Sequence, residues 1–304
     1  MENPPVIAIR FALYADLMVL FGLVVFSLYA LTNDERVRTS VLSIRALMLT
    51  LSGTGLLLSI IGICVLSATM SGAAILDVDR ETLATVIFET DVGTAWLLRM
   101  AALSVTFIGA SLFRIRPVTM LSLACLASGV ALASLVWTGH AGATEGLIGA
   151  LHRIGDIVHM LAAAIWIGGI IAFAILLSNA NNLSLTQRAL EQFSRVGTVA
   201  VILIFVTGLM NSQVLIGVEH IQKLTTTFYG QLLTIKLALF AVLLGLAAIN
   251  RWRLTPSLAY HALSSDSTLA LSKLRYSTGL EALTMAGILA LVAWLGTLQP
   301  PEVF

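Results

Sequence analysis

Charge is scarce in this chain. Only 11% of its 304 residues are Asp, Glu, Lys or Arg, against roughly 25% in a soluble domain, and 58% are hydrophobic. That shortage excludes a globule surrounded by water, and a mean hydropathy of +0.97 makes the chain an integral membrane protein. The net charge of +1 comes without a basic cluster, which leaves no footing for nucleic acid. Cysteine is nearly absent. Cys64 and Cys125 each lie in an apolar run without a partner at motif spacing, so neither a disulfide framework nor a cysteine-built metal site is expected, and both read as small packing residues. Six prolines and 23 glycines are too few for low complexity. Also missing are the Cys-Pro-Cys helix, the P-loop and the phosphorylatable Asp domain of ATP-driven pumps. The protein therefore reads as a non-enzyme whose transport, if any, is passive or coupled to an ion or potential. Its start, MENPPVIAIRFALYADL, lacks the basic segment and cleavage site of a signal peptide, so the first apolar run is expected to remain as a membrane helix.

What is present is apolar length. A hydrocarbon core about 30 Å thick needs about 20 apolar residues per helix, and eight runs qualify: 6–31, 42–70, 93–113, 118–138, 152–178, 193–216, 228–250 and 277–298. The expected fold is all-α and polytopic, with both termini on one side. Connections 1–2, 3–4, 5–6 and 7–8 carry eleven of the 17 Lys and Arg, which assigns them to the cytoplasm and both termini to the periplasm. The outer 2–3 connection is acidic, with Asp77, Asp79, Glu81, Glu89 and Asp91 against Arg80. It reads as an amphipathic surface helix with Ala84, Ile87 and Phe88 on its apolar side. Its carboxylates either raise the local cation concentration or simply face solvent. Inside, Ser184 and Gln187 suggest a capped lead-in to the sixth helix, and His261 reads as a solvated loop residue.

Two segments can be laid on each other: GTAWLLRMAALSVTFIGASLFRIRP and GQLLTIKLALFAVLLGLAAINRWRLTP. Gly93 then meets Gly230, and Arg99 meets Lys236. Arg45 with Thr54-Gly55 and Arg195 with Thr207-Gly208 add a second correspondence. This predicts two four-helix halves, 1–138 and 139–304, in parallel repeat.

The polar residues inside the spans carry the chemistry. In LHRIGDIVHMLAAAIWIGG, successive residues advance about 100°, so His152, Asp156, His159 and Trp166 share one stripe. Ionisable groups in a bilayer face the protein interior or a hydrated cavity and mark function by default. A rise of 1.5 Å per residue puts His159 about 10 Å below His152, too far for one ion without a third ligand or a bend. His140, in the Gly-rich turn before this helix, is the candidate to join them, with Glu145 weaker. Imidazoles bind Zn, Cu, Fe and Ni, and thioethers add a preference for Cu(I). Met70 has suitable depth, whereas Met160 points away from the stripe. Asp156 can orient an imidazole. The plainer reading is a polar staple between helices, with Asp16 and Asp156 neutralising Arg99 and Lys236; Lys236 could instead gate a cation path. Gly168 and Gly169 are expected to permit close helix contact.

HRIGDIVHMLAAAIWIGG and FYGQLLTIKLALFAVLLGLAAINRWRLTP resemble the copper resistance protein D (CopD) family of bacterial inner membranes. The former is similar to that family's His-containing helix ending in Trp-x-Gly-Gly (His159, Trp166, Gly168, Gly169). The latter is similar to its Lys-containing helix ending in Asn-Arg and Leu-Thr-Pro (Lys236, Asn250, Arg251, Leu254 to Pro256). The resemblance implies an eight-helix copper homeostasis protein that binds copper ion on the periplasmic side, moves it toward the cytoplasm and works with a separate periplasmic copper-binding partner, CopC. Below His159 the sequence offers Asn250 and Glu281 but no further His. An alternative, a b-type haem electron carrier, needs two axial imidazoles at matched depth on different helices.

Overall fold

In lipid every backbone N–H and C=O must find its partner within the protein, which leaves helices as the solution for runs rich in Leu, Ala, Ile and Val. The computed structural model describes residues 3–38, 42–139, 146–178, 183–215, 217, 222–256 and 267–300. Eight helices are long and apolar enough to span a membrane: α1 (Pro4–Ala30), α2 (Ile44–Ser71), α3 (Asp91–Ser111), α4 (Pro117–Ala133), α5 (Gly146–Ser178), α6 (Leu183–Leu215), α7 (Phe228–Ile249) and α8 (Ser267–Leu295). A 3-10 turn, Ser134–Thr138, prolongs α4, and a π-helical turn, Asn250–Leu254, prolongs α7. The all-α, eight-span expectation holds. The lead-ins do not: α5, α6 and α8 begin before residues 152, 193 and 277, because a helix entered from the interface continues its own hydrogen-bond ladder. Ser184 therefore lies inside the first turn of α6 instead of capping it.

Helices α1 and α5 form the centre. α1 packs against α2, α4, α5 and α8, and both central helices are mostly buried where the others expose a lipid face. Their crossing depends on glycine. A Cβ on Gly22 would lie 2.7 Å from the Gly168 Cα and closer still to the Ala164 carbonyl, and a Cβ on Gly168 would run into the Gly22 backbone. Small residues at a crossing let two backbones touch, which is the main source of helix adhesion where lipid removes the hydrophobic drive. Gly169 likewise receives the ring of Phe193 from α6, as the sequence suggested for this pair.

Arginines close one end of the bundle. Arg36 donates to the carbonyls of Ser27 (2.9 Å) and Leu28 (2.6 Å) at the end of α1. Arg45 reaches Ala110 at the end of α3 (3.3 Å), and Arg275 reaches Leu177 at the end of α5 (2.7 Å). Each puts a cation on the negative pole of a helix dipole and satisfies a terminal carbonyl. Arg188 also pairs with Glu35 at 2.6 Å, the one ion pair within 4 Å among the described residues. Partial burial pushes the Glu35 carboxyl up, but hydrogen bonds from Arg188 and Thr32 outweigh that and hold it below its ordinary value. At the opposite end, Arg10 donates to the Thr138 carbonyl at 2.5 Å.

The 2–3 connection contains a helix, Arg80–Glu89, capped by Asp79, which accepts from the Thr82 N–H at 2.7 Å. Its inward side is Leu83 and Val86, one turn apart. Ile87 is half-buried like Leu83, and Ala84 and Phe88 face outward, so the side expected to be apolar lies largely outside the contact with protein. The two segments aligned in sequence share a local structure: Thr90 and Thr227 accept from the N–H of Gly93 (3.0 Å) and Gly230 (3.1 Å), and both glycines abut the backbone of the preceding short helix.

Two outcomes are expected. Gly168→Val drives a branched side chain into α1 and destabilises the bundle by about 3 kcal/mol or more, read as a lowered thermal midpoint in detergent. Glu35→Gln costs at most about 1 kcal/mol because Arg188 is substantially exposed. With the folded Glu35 pKa depressed, the contribution is present above the ordinary Glu pKa and lost as pH falls through the folded value. The difference between Glu35→Gln and wild type in thermal melts should therefore vanish in acid.

Candidate functional site

Helices α6 and α7 do not pack closely against each other among the described residues. The space between them, walled by α5 and α8, holds two cavities. The outer one, about 420 Å³, lies toward the Arg10 end and takes the α5 stripe as its wall: His152, Asp156, His159 and Trp166 all line it, and Lys236 joins from α7. The stripe faces inward, as its cost in lipid requires.

Asp156 is the electrostatic centre. It accepts a short hydrogen bond from the Asn211 amide of α6, and its charge is felt by His152, one turn earlier, by Lys236 and by Tyr229. It is not in ion-pair contact with Lys236, so the expected pairing holds only as attraction at a distance. The other expected pair is absent. Arg99, 4% exposed, donates to the hydroxyls of Ser59 (3.1 Å) and Ser134 (3.3 Å), while the Oδ2 of Asp16 has no partner and lies against Gly55. Two hydroxyls satisfy the guanidinium without requiring a carboxylate at that depth.

The His159 Nδ1 lies 2.9 Å from the Thr207 hydroxyl. That hydroxyl donates its own proton to the Leu203 carbonyl, one turn back, at 2.5 Å, so its oxygen can only accept from the ring. Nδ1 therefore carries the imidazole proton and Nε2 keeps the lone pair, the arrangement by which a second-sphere partner prepares a histidine to ligate. Gly208 leaves room for the ring: even an added Cβ there would be 3.6 Å from the His159 Cε1.

The buried methionines Met18, Met160 and Met285 line the same cavity as this imidazole. Met70 does not. It is 63% exposed at the end of α2, because the face of the helix on which it stands turns to lipid. His140, Glu145 and His261 lie outside the described residues; Gly139, next to His140, borders the cavity. Among the described residues no three His, Cys, Asp or Glu side chains gather as a ready ligand set, since the two imidazoles are a full two turns apart on one helix. For the same reason no facing pair of imidazoles suits a haem among the described residues. Cys64 and Cys125 are free thiols, half-buried.

Sequence reasoning missed Thr207 as a histidine partner, although its Thr-Gly pair had stood out as a repeat. It also missed Arg10, Met18 and Met285, which resemble any other residues of α1 and α8 until those helices are seen to wall the cavity.

Comparison with known proteins bears directly on this arrangement. Residues 1–150 match the family described as copper resistance protein D-like, N-terminal domain, and residues 187–295 match copper resistance protein D. The chain is 38% identical, over 99% of its length and 98% of the relative's, to copper resistance protein D of Pseudomonas syringae pv. tomato. The chain belongs to the copper resistance protein D family. It is also 27% identical to inner membrane protein YebZ of Escherichia coli (strain K12), over 97% of this chain and 98% of that one. Copper transport protein CutJ of Bacillus subtilis (strain 168) is 34% identical over 56% of this chain and 31% of its own length. No solved structure matches. The family supports a copper-related role in a membrane, and the tautomer of His159 can be checked without metal. Nitrogen-15 NMR of the imidazoles should show His159 protonated at Nδ1, and Thr207→Val should turn it into a mixture of tautomers.

Proposed function

We propose that this member of the family binds copper in the outer cavity, through the Nε2 of His159, and passes it across the membrane toward the cytoplasm. The observation that carries this reading is the His159–Thr207–Leu203 relay, which commits one ring nitrogen and leaves the other as a donor inside an apolar cavity lined with methionine. Imidazole and thioether together suit a soft ion, Cu(I) above all. His152, at the outer end of the same stripe, is the station before His159, and His140 is its proposed companion. Asp156 offsets the charge of Lys236, so that an arriving cation is not repelled by an unopposed ammonium in the same cavity.

The basic end of the bundle, with Arg36, Arg188, Arg251 and Arg275, is assigned to the cytoplasm by the positive-inside rule. Both termini then lie in the periplasm of a bacterial inner membrane, where a separate CopC-like protein would deliver copper. The work is binding and movement without catalysis, and the halves 1–138 and 139–304 share it: the first holds α5 in place and lends α1 to the wall of the outer cavity, and the second supplies most of the other walls. The haem reading has less support, since both described imidazoles stand on α5.

Metal analysis of the purified protein tests the proposal. Wild type should retain copper and show no haem absorption. His159→Ala should lose copper affinity by more than the tenfold to hundredfold typical of a lost second-sphere partner, whereas Thr207→Val should fall within that range. Equal copper content in wild type and His159→Ala would reject the site.

A further inference from the structure

The inner cavity, about 620 Å³, lies toward the basic end and shares Trp166 with the outer one as a common wall. Trp166 is 3% exposed and meets Phe240 of the outer cavity edge to face at 6.2 Å, so the indole shared by the two spaces is backed by a second ring on the outer side. Exposed Glu191, Arg251 and Trp252 line the inner cavity, which gives it an opening on the basic face. Glu281 of α8, 5% exposed, lines it as well, with buried Thr278 one turn before it and Asn250 of α7 hydrogen-bonded to it.

Glu281 stands about one turn inside the apolar run that begins at residue 277, level with Asn250 at the inner end of α7, and it has no ion-pair partner within 4 Å among the described residues. Its immediate partner is a neutral amide. An amide can serve either charge state of a carboxyl: the NH2 donates to a carboxylate, and the carbonyl oxygen accepts from a carboxylic acid. The latter capacity is unused, because the Asn250 Oδ1 is buried and without a partner. Asn250 also opens the π-helical turn of α7, a local departure from α geometry that is frequent at functional sites.

The other charged groups do not compete for this carboxyl. Arg251 is engaged by the Ser194 carbonyl and the Thr198 hydroxyl, and Glu191 belongs to the exposed lining. Lys236 of α7, His152, Asp156 and His159 of α5, and Arg10 and Tyr14 of α1 all line the outer cavity beyond Trp166. Asp16 of α1 lies against α2, and Tyr29 of α1 meets Phe26 near the basic end.

We propose that Glu281 and Asn250 form a second cation site, reached from the basic face through the inner cavity and distinct from the copper site in its chemistry. Its donors are carboxylate, amide and hydroxyl oxygens, a set that takes a hard cation, proton or Na⁺, and not a soft metal. In the proton case H⁺ adds to a carboxylate oxygen of Glu281, which becomes a neutral carboxylic acid and turns its new O–H to the Asn250 carbonyl. The proposal concerns the inner cavity alone and does not require that the outer one carry copper.

Copper-free protein in lipid nanodiscs tests it. Infrared difference spectra are recorded on acid titration at fixed Na⁺, and on Na⁺ titration at fixed pH, for wild type, Glu281→Gln and Asp156→Asn, with thermal melts alongside. A carboxyl band that responds to pH identifies the proton, and one that responds to Na⁺ identifies sodium; in either case the band should be absent from Glu281→Gln and present in Asp156→Asn. Glu281→Gln keeps the shape and a hydrogen bond to Asn250, so its melt should be within a few degrees of wild type. A band unchanged by Glu281→Gln, or a wild-type spectrum insensitive to both ions, would overturn the assignment. Loss of copper binding in Glu281→Gln would do so too, by making the carboxyl part of the outer site.

Discussion

The backbone contact between α1 and α5 at Gly22 and Gly168 positions everything else. Two helices that touch without side chains between them cannot rotate about their own axes without collision, so the azimuth of α5 is fixed. Trp166, two residues before Gly168, and His159, two turns before Trp166, are thereby aimed away from α1 and toward the space between α6 and α7. Had α5 been held by larger, more adaptable side chains, its polar stripe could have turned by a residue and brought Asp156 toward lipid, at a cost of several kcal/mol for a charged group. Glycine at the crossing is thus a condition for the cavity as much as for the packing.

Lipid sets a further constraint, which α3 and α7 meet differently. On α3, Arg99 is buried and bound by serine hydroxyls, and the position is closed. On α7, Lys236 stands at the same distance after its own Thr-capped glycine, but it lines a cavity with a carboxylate that belongs to a neighbouring helix. The same local start, a short helix followed by a Thr cap and a glycine pressed on backbone, yields a structural cation on one side and an accessible one on the other. What differs is the neighbour. α2 and α4 pack closely around α3, whereas α6 keeps its distance from α7.

The number of spans, the inward stripe on α5 and the close contact at Gly168 were legible in the sequence because each follows from period and composition alone. Asp16 and Arg99 were misjudged for a clear reason. Depth along a helix can be counted, but azimuth between non-adjacent helices cannot, and two opposite charges at similar depth need not meet. Met70 failed in the same way: its depth was suitable and its face was not. Thr207 was visible only as half of a repeated Thr-Gly pair, since nothing in a sequence says which carbonyl a threonine hydroxyl donates to, and that one bond decides which nitrogen of His159 is free.

The division at Trp166 gives the gap in ligands below His159 a physical meaning. Imidazole and thioether donors line the outer cavity alone, whereas carboxylate and amide oxygens line both, Asp156 with Asn211 in the outer and Glu281 with Asn250 in the inner. A single ion descending the bundle would leave its imidazole and thioether donors behind at the indole that both cavities share. An always-open channel through the bundle does not follow from such an arrangement. The two cavities share one indole as a wall, so a change in its position in one alters the wall of the other. Trp166 is well placed for this because it lines both cavities, and the Gly22–Gly168 contact one half-turn on holds the backbone that carries it.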